Sequence, residues 1–351
     1  MSYFRDNIEA MDAYVPGEQP AGEAAGGVIK LNTNENPYPP SPKAVEVMRD
    51  LGADALRVYP DPMAARACGA LAKVLGVRRD HILPGNGSDD LIMMVARACA
   101  GADRSVAYPT PTFTFYHTQA LIENARIVAV PYDEAYHLPV DGLAEADAAL
   151  TFVASPNSPS GTSAPKDQLE RLAGRLGGVL VIDEAYVDFA GDTALGLIAG
   201  HDNVLVLRTM SKGYSLAGLR LAFGLAQPSL LAGLRKTKAI YTINAVAAAV
   251  GAAAIEDQAH KIANAQRVVA SRARLSAGLE QMGFRVWPSE ANFILARPPE
   301  GKAERIHLDL KARGILVRYW PQPPLTDKLR ITVGTEEQNQ ALLDALTDML
   351  A

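Results

Sequence analysis

The stretch NVLVLRTMSKGYSLAGLR, residues 203–220, guides the interpretation of the whole chain. Its first half is an apolar run, and such a run predicts a buried strand. Small and polar residues follow the strand, and they include Thr209, Ser211, Lys212, Gly213 and Arg220. The stretch is either a solvated loop or the edge of a site in which a partly desolvated lysine acts as a nucleophile. The surrounding motifs have to decide between these two interpretations.

Apolar runs of the same kind recur along the chain and alternate with helical patterns. They are RSVAYP, ARIVAVPY, LTFVASP, GVLVIDEAY and LRLAFGLA, at residues 104–109, 125–132, 150–156, 178–186 and 219–226. Short buried strands that alternate with helices predict an α/β fold with a mostly parallel sheet. In such sheets ligands bind at the carboxyl ends of the strands. The polar residues that end the opening stretch are therefore expected at a ligand site.

Length and pattern together predict two domains. A chain of 351 residues is longer than one simple core usually requires. We expect a large α/β domain over residues 31–255, and a smaller α+β unit formed by residues 256–351 with an N-terminal arm, residues 1–30. Residues 15–42 are rich in proline, glycine and asparagine, which predicts an irregular arm that crosses a surface.

Composition argues against several classes of function. The net charge of −5 is unlike that of a nucleic-acid-binding protein, and no apolar run is long enough for a membrane span. The N-terminus carries charges throughout and does not resemble a signal peptide. The histidines are scattered, and Cys68 and Cys99 are predicted to be buried and unpaired. We expect a cytoplasmic protein with no metal site, no nucleic-acid partner and no membrane association.

Further motifs carry groups that could face the lysine. The rigid turn SPNSPSG presents Asn157, and DEAY places Asp183 and Tyr186 at the end of an apolar strand. A plain turn and a solvated strand end are the simpler explanations, but a carboxylate buried there needs a cation or a hydrogen-bond donor. GNGSDD, residues 85–90, offers backbone N–H groups to an anion at a helix N-terminus. A lysine, a carboxylate and a phosphate cradle are what pyridoxal phosphate requires.

The motifs and their order resemble the fold-type I pyridoxal-phosphate aminotransferases, and within them the histidinol-phosphate aminotransferase family. The resemblance covers nearly the whole chain. Its pieces are YVPGEQP, LNTNENPYPPSP, RVYPDP, GNGSDD, YPTPTF, SPNSPSG, DEAYVDF, RTMSKGYSLAGLR, ANFIL, ILVRY and LRITVGT. Single pieces are weak signals, whereas SPNSPSG, DEAY and SKGYSLAGLR at these spacings are specific together.

The resemblance implies pyridoxal 5′-phosphate as cofactor and assigns residues to it by position. Lys212 would hold the cofactor as a Schiff base and then move a proton between the substrate Cα and the cofactor. Asp183 would pair with the ring nitrogen, Asn157 and Tyr186 would hydrogen-bond the phenolic oxygen, and Phe113 would stack on the ring. The implied phosphate ligands are Gly87, Ser88, Asp89, Thr209, Ser211, Arg220 and, from a partner subunit, Tyr59. A residue shared in this way implies a homodimer.

The resemblance also implies the substrate-binding residues Tyr14, Asn36, Asn292, Arg318 and Arg330. Arg330 would hold the amino-acid carboxylate with its planar fork, with Asn292 beside it, and Arg318 would recognise a phosphate with help from Tyr14.

The implied reaction is the reversible transamination of imidazole acetol phosphate with L-glutamate, which gives L-histidinol phosphate and 2-oxoglutarate in histidine biosynthesis. Two alternatives stay open from the sequence. One is an aromatic amino-acid aminotransferase, in which the Arg318 site holds a ring instead of a phosphate. The other is a lyase similar to the threonine-phosphate decarboxylases. A protein that only binds ligands would not need the complete set of Lys212, Asp183, Asn157, Tyr186 and Arg220.

Overall fold

The structure is a computed structural model that describes residues 3–13, 17–19 and 27–350. In this part of the chain, strands β1–β12 and helices α1–α13 are numbered along the sequence. They form two sheets, one of seven strands and one of five.

The seven-stranded sheet carries the polar strand ends. Its strands are β2 Ile82–Gly85, β3 Ser105–Thr110, β4 Arg126–Pro131, β5 Leu150–Ala154, β6 Val179–Asp183, β7 Val204–Thr209 and β8 Ala222–Leu225. Their order is β2-β8-β7-β6-β5-β3-β4, and β8 alone runs antiparallel to its neighbours. The predicted α/β fold with a mostly parallel sheet is confirmed.

The five-stranded sheet is mostly antiparallel. Its strands are β1 Ile29–Leu31, β9 Arg285–Val286, β10 Phe293–Arg297, β11 Ile315–Tyr319 and β12 Leu329–Thr332, in the order β1-β11-β12-β10-β9. Strand β1 lies in the segment 15–42, so the prediction that this whole segment is irregular was wrong. Its three residues pair in parallel with residues 315–317 of β11, a distant partner that local composition does not reveal. The division of the chain into domains at residues 31 and 256 stays a prediction.

Helices cover both faces of the larger sheet and pack on the smaller one. They are α1 Asp6–Glu9, α2 Pro42–Asp50, α3 Asp54–Arg57, α4 Ala65–Leu75, α5 Ser88–Cys99, α6 Phe115–Ile122, α7 Val140–Glu145, α8 Lys166–Arg175, α9 Pro228–Leu234, α10 Ala245–Glu256, α11 Gln258–Gln281, α12 Ala303–Ala312 and α13 Glu336–Leu350. Helix α2 begins after Ser41, whose side chain accepts a hydrogen bond from the Lys43 backbone N–H at 3.2 Å. Among the described helices, none has the length and apolar character of a membrane span.

The central strands are buried on both faces. Along β6, Val181 and Ile182 belong to two different hydrophobic clusters, because alternate side chains of a strand point to opposite faces of the sheet. Both side chains are fully buried. The carboxyl ends of β5 and β6 lie side by side, with Ala154 opposite Asp183. A rigid sheet therefore presents the residues that follow these strands at one edge, beside the smaller sheet.

Candidate active site

A cavity of about 630 Å³ lies at this edge, between the larger sheet and strands β11 and β12. Its volume falls within the usual range of small-molecule sites. The predicted residues that line it are Ser88, Asp89, Phe113, Asp183, Tyr186, Thr209, Ser211, Lys212, Arg220, Arg318 and Arg330. The fold thus brings together predicted residues that are far apart in sequence, from Ser88 to Arg330.

Lys212 lies just beyond the end of β7 and projects into the cavity. Its Nζ donates to the Thr33 carbonyl at 3.1 Å and lies 5.7 Å from the centre of the Tyr186 ring. The Asn36 side chain donates to the Lys212 carbonyl at 3.1 Å, so Asn36 supports the lysine backbone. A side chain on the next residue, Gly213, would collide with the Asp188 carboxylate. The lysine therefore sits on a tightly constrained turn, where Gly213 leaves room for Asp188.

Asp183 presents a buried carboxylate to the cavity. Only 5% of the residue is exposed, and it accepts hydrogen bonds from the Tyr116 hydroxyl at 2.7 Å and the Ala185 N–H at 3.1 Å. Within the described residues it makes no ion pair, and burial raises its pKa to about 6. Its neighbour Glu184, in contrast, pairs with Arg208 at 2.5 Å. Asp183 is thus the carboxylate of the pair that is placed to receive a cation from a ligand.

The two other predicted ring contacts differ in their surroundings. Phe113 lines the cavity, and its ring meets the Tyr116 ring edge-on at 5.5 Å. Asn157 is 1% exposed; its Oδ1 accepts from the Thr112 hydroxyl at 2.7 Å, and its Nδ2 donates to the Ser160 hydroxyl at 3.0 Å. In this structure Asn157 therefore ties together the loops that follow β3 and β5. It lies behind the cavity wall instead of lining the cavity.

A candidate anion cradle lies where α5 begins. Gly87 has φ +81°, and a Cβ there would collide with the Arg220 guanidinium. The Ser88 hydroxyl is buried without a hydrogen-bond partner among the described residues. Arg220 donates to the Ser211 hydroxyl at 3.4 Å and to the Asp89 carboxylate at 3.1 Å. A helix N-terminus, an arginine and an unsatisfied hydroxyl together suit a phosphate group.

Thr209 completes this cradle from the end of β7. Its hydroxyl donates to the Ser211 hydroxyl at 3.0 Å and accepts from the Ser211 backbone N–H at 3.1 Å. Both residues are buried. The hydrogen bonds hold the Ser211 side chain toward Arg220, so the strand end and the helix start face the same point.

We expect Gly87→Ala to weaken pyridoxal phosphate binding about 10- to 100-fold while the protein still folds. The new methyl group would strain the left-handed backbone and displace the flexible end of Arg220 from the cradle. Titration of the apoprotein with pyridoxal phosphate measures the change. Gly101→Ala is the matched control, because a Cβ at Gly101 meets no atom within 4 Å. Equal affinities of the two variants would show that this approach of backbone and arginine does not serve the anion.

Two arginines lie side by side on the wall that the smaller sheet forms. Arg318 of β11 is paired in register with Arg330 of β12, so the two side chains lie on the same face of the smaller sheet. The Trp320 ring lies near both guanidinium groups, at 5.3 Å and 5.4 Å. Arg330 also donates to the Ser158 hydroxyl at 2.9 Å. Two neighbouring cations at one wall of the cavity suit an anionic substrate.

Asn292 and Tyr59, like Gly87, Asn36 and Asn157, are not among the residues that line the cavity. Asn292 is fully buried and donates to the Asn34 carbonyl at 3.0 Å, so it supports the segment that lies beside Lys212. Tyr59 is 79% exposed and stacks on Tyr241 with ring centres 4.5 Å apart. Tyr14 lies outside the described residues.

Sequence reasoning missed several residues that line this site, among them Thr33, Asn34, Tyr116 and Trp320. Thr33 and Asn34 lie in LNTNENPYPPSP, an asparagine-rich motif. Of this motif, only Asn36 was predicted as a site residue. Tyr116 lies three residues after Phe113 and binds Asp183. Trp320 follows Arg318 by two residues, a spacing that keeps both side chains on one face of an extended segment.

Comparison with known proteins agrees with this geometry. The aminotransferase class I and II family matches residues 26–346. The chain is 53% identical over 349 residues to histidinol-phosphate aminotransferase 1 of a Nostoc species, covering 99% of this chain and 98% of the relative. It is 41% identical over 350 residues to histidinol-phosphate aminotransferase of a Geobacter species, covering 99% of both.

The fold agrees with a solved structure as well. Histidinol-phosphate aminotransferase from Sinorhizobium meliloti in complex with pyridoxal-5′-phosphate superposes with a TM-score of 0.91 at 24% identity, covering 100% of this chain and 98% of that one. At this identity the superposition establishes the fold, and the family match and the closer relatives establish the kinship. The chain therefore belongs to the class I and II aminotransferases, and its curated relatives within that family are histidinol-phosphate aminotransferases.

Proposed function

We propose that this aminotransferase exchanges an amino group between L-glutamate and imidazole acetol phosphate, giving L-histidinol phosphate and 2-oxoglutarate, with pyridoxal 5′-phosphate as cofactor. The names of the relatives support this reaction for the chain. In the structure, the main support for this reaction is the neighbouring pair Arg318 and Arg330, which lines the same cavity as Lys212. The proposal places the reaction in histidine biosynthesis.

The residues of the cavity fit the proposed cofactor. The Gly87 turn and the unpartnered Ser88 hydroxyl offer a phosphate site, and Asp183 offers a buried carboxylate to the ring nitrogen. When bound, pyridoxal phosphate supplies an aldehyde that takes up the amino group and a ring that withdraws electrons from the substrate Cα. Lys212 would hold the aldehyde end and Arg220 the phosphate end.

The protein's own groups then position the substrate and move its proton. Lys212 would take the proton from the substrate Cα and would deliver one to the carbon that the cofactor contributes, since its Nζ is the amino group that projects into the cavity. Asp183 would stabilise the positive charge of the ring nitrogen. Phe113 would cover the ring face, and the Tyr186 hydroxyl would donate to the cofactor's phenolic oxygen. Asn157 supports this face by holding the loops after β3 and β5 together.

The arginine pair explains how one site accepts two different substrates. Glutamate carries two carboxylates with one negative charge each, and the planar fork of Arg330 matches one of them. A phosphate monoester carries up to two, so a second cation beside Arg330 favours it. Arg318 supplies that cation from the next strand. The arginine pair would bind only the carboxylate of phenylalanine. The site therefore favours histidinol phosphate over aromatic amino acids.

We expect Arg318→Ala to lower kcat/KM for histidinol phosphate about 10- to 100-fold, the cost of one or two charge-assisted hydrogen bonds. The same change is expected to alter kcat/KM for phenylalanine by less than about threefold. Arg305→Ala, which removes an exposed ion pair on α12, is the control. Steady-state assays with both donors decide the matter, and equal losses for the two would remove Arg318 as the source of phosphate selectivity.

We also propose a homodimer with shared active sites. Exposed apolar side chains cluster around the stacked pair Tyr59 and Tyr241, and they include Leu56, Val58 and Ile240. An exposed apolar cluster is typical of an interface. In a dimer, Tyr59 could reach the phosphate end of the partner's cavity. Sedimentation of the purified protein tests this proposal, and a monomer at assay concentrations would rule it out.

A further inference from the structure

Asn34 occupies an unusual position between the two sheets. It follows β1, it is 1% exposed, and its φ is +60°, in the left-handed region that non-glycine residues seldom adopt. Its carbonyl accepts from the Asn292 side chain at 3.0 Å. Its side chain contacts Thr332 of the smaller sheet and Tyr186 of the loop after β6. A buried, strained residue with this many partners has a defined orientation.

The hydrogen bonds around Asn34 form a chain that runs from its backbone N–H through Thr332 and its own side chain to Tyr186. The Asn34 backbone N–H donates to Thr332 Oγ1 at 3.0 Å, and a backbone N–H can only donate. The Thr332 hydroxyl then donates its own proton to Asn34 Oδ1, also at 3.0 Å. In this arrangement the amide oxygen lies toward Thr332 and Nδ2 lies toward Tyr186, to whose hydroxyl oxygen it donates at 3.0 Å.

This direction determines what the Tyr186 hydroxyl can do. Because its oxygen accepts from Asn34, its own proton is directed to another acceptor. The Tyr186 ring lines the cavity, and the edge of Phe293 holds it with ring centres 4.9 Å apart. We propose that Asn34 is a positioning residue that keeps Tyr186 a hydrogen-bond donor toward the phenolic oxygen of bound pyridoxal phosphate. The inference rests on the proposed function.

The same short segment also contacts other groups of the site. The Thr33 carbonyl accepts from Lys212 Nζ at 3.1 Å, and the Asn32 carbonyl accepts from Arg330 at 2.8 Å. A substitution at Asn34 that merely moved the backbone would therefore disturb Lys212 and Arg330 as well. The experiment must separate such movement from an effect that passes through Tyr186.

Asn34→Asp is the sharpest variant, because it preserves shape and reverses one hydrogen bond. A carboxylate at this position accepts from Tyr186, so the phenol proton turns away from the cavity. The readout is the pH midpoint of the visible absorbance band of the resting holoprotein, measured without substrate. We expect Asn34→Asp to raise this midpoint by about one pH unit, since the negative phenolic oxygen loses a donor. With substrate, kcat should fall about tenfold and KM change less than about threefold.

A double-mutant cycle with Tyr186→Phe tests whether the effect passes through Tyr186. Asn34→Asp should leave the midpoint unchanged in the Tyr186→Phe background. Asn124→Asp is the matched control, since Asn124 also has a positive φ, +55°, but is exposed beyond the C-terminal end of α6 and does not line the cavity. A shift of equal size with and without Tyr186, or no shift in either, would overturn the proposal.

Asn34→Gly provides a second test of the proposal if Asn34→Asp does not fold. Glycine retains the left-handed backbone and the N–H bond to Thr332, but removes the donor to Tyr186. The phenol can then point either way, so a smaller rise in the midpoint is expected, and an unchanged midpoint would contradict the proposal. Failure of the wild-type protein to show a cofactor band would instead count against the proposed function.

Discussion

Replacing Lys212 with alanine is expected to lower kcat by at least about 10³-fold with every amino donor. Positioned proton transfer contributes about 10²- to 10⁴-fold to enzymatic rates, and the same side chain is proposed to hold the cofactor. No second lysine lines the cavity in the part of the chain that the structure describes. Single-turnover assays with stoichiometric pyridoxal phosphate measure the loss.

Borohydride treatment of the wild-type protein provides an independent measurement of the same assignment. It should fix the cofactor to the peptide that contains Lys212, and mass spectrometry should find no label there in Lys212→Ala. Lys73→Ala, an exposed change on α4, is the control and should behave as wild type. Turnover within about tenfold of wild type in Lys212→Ala would contradict the assigned role.

Asp183→Asn is expected to lower kcat by about 10²- to 10³-fold. At a separation of about 4 Å and an effective dielectric constant near 20, a pair of opposite charges is worth about 4 kcal/mol before desolvation costs. A neutral amide cannot offer this stabilisation to a charged ring nitrogen. The carboxylate has no competing ion pair among the described residues, so its charge is available to the ligand. Retention of kcat within about threefold would remove Asp183 from the mechanism.

The same variant should change how the stability of the apoprotein depends on pH. Burial raises the pKa of Asp183 to about 6 from an ordinary value of 3.8, so the native state binds its proton more tightly than the unfolded state does. The protonated group imposes no charge penalty below about pH 4. As the pH rises through about 6, the native carboxylate ionises and the protein loses up to about 3 kcal/mol of stability.

Urea unfolding of the apoproteins at several pH values checks this sign. Between pH 4 and pH 7.5, Asp183→Asn should become more stable relative to wild type. We expect the difference between their free energies of unfolding to change by about 2 to 3 kcal/mol. Bound pyridoxal phosphate should oppose this trend, because its ring supplies the missing cation. A difference that does not vary with pH in the apoprotein would contradict the assigned burial cost.

The sequence predicted much of the larger sheet because its strands are short, continuously apolar and separated by helical patterns. GVLVIDEAY became β6 with Asp183 at its end, and NVLVLRTMS became β7 followed by Lys212. Asp183 and Lys212 therefore lie at one sheet edge, as parallel strands require. Strand β1 was missed because its three residues are held by distant β11 and carry little local signal.

The site was predictable where a residue's role follows from its motif, and obscure where it follows from a distant partner. The GNGSDD turn lies at the predicted helix start, with Gly87 and Ser88 at the beginning of α5. Asn34 depends on Thr332, 298 residues away, and Tyr116 on Asp183, 67 residues away. Hydrogen bonds over such separations leave no periodic pattern in a sequence. Asn157 shows the reverse, since its motif was clear but its contacts in the structure hold loops together.

A parallel amino-donor screen tests the proposed function most directly. The purified protein with pyridoxal phosphate is given 2-oxoglutarate and either L-histidinol phosphate, phenylalanine, tyrosine or threonine phosphate, and glutamate formation and carbon dioxide release are followed. We predict kcat/KM for histidinol phosphate at least about 100-fold above that for the other donors, with no carbon dioxide released. A preference for phenylalanine or tyrosine, or decarboxylation of threonine phosphate, would contradict the account.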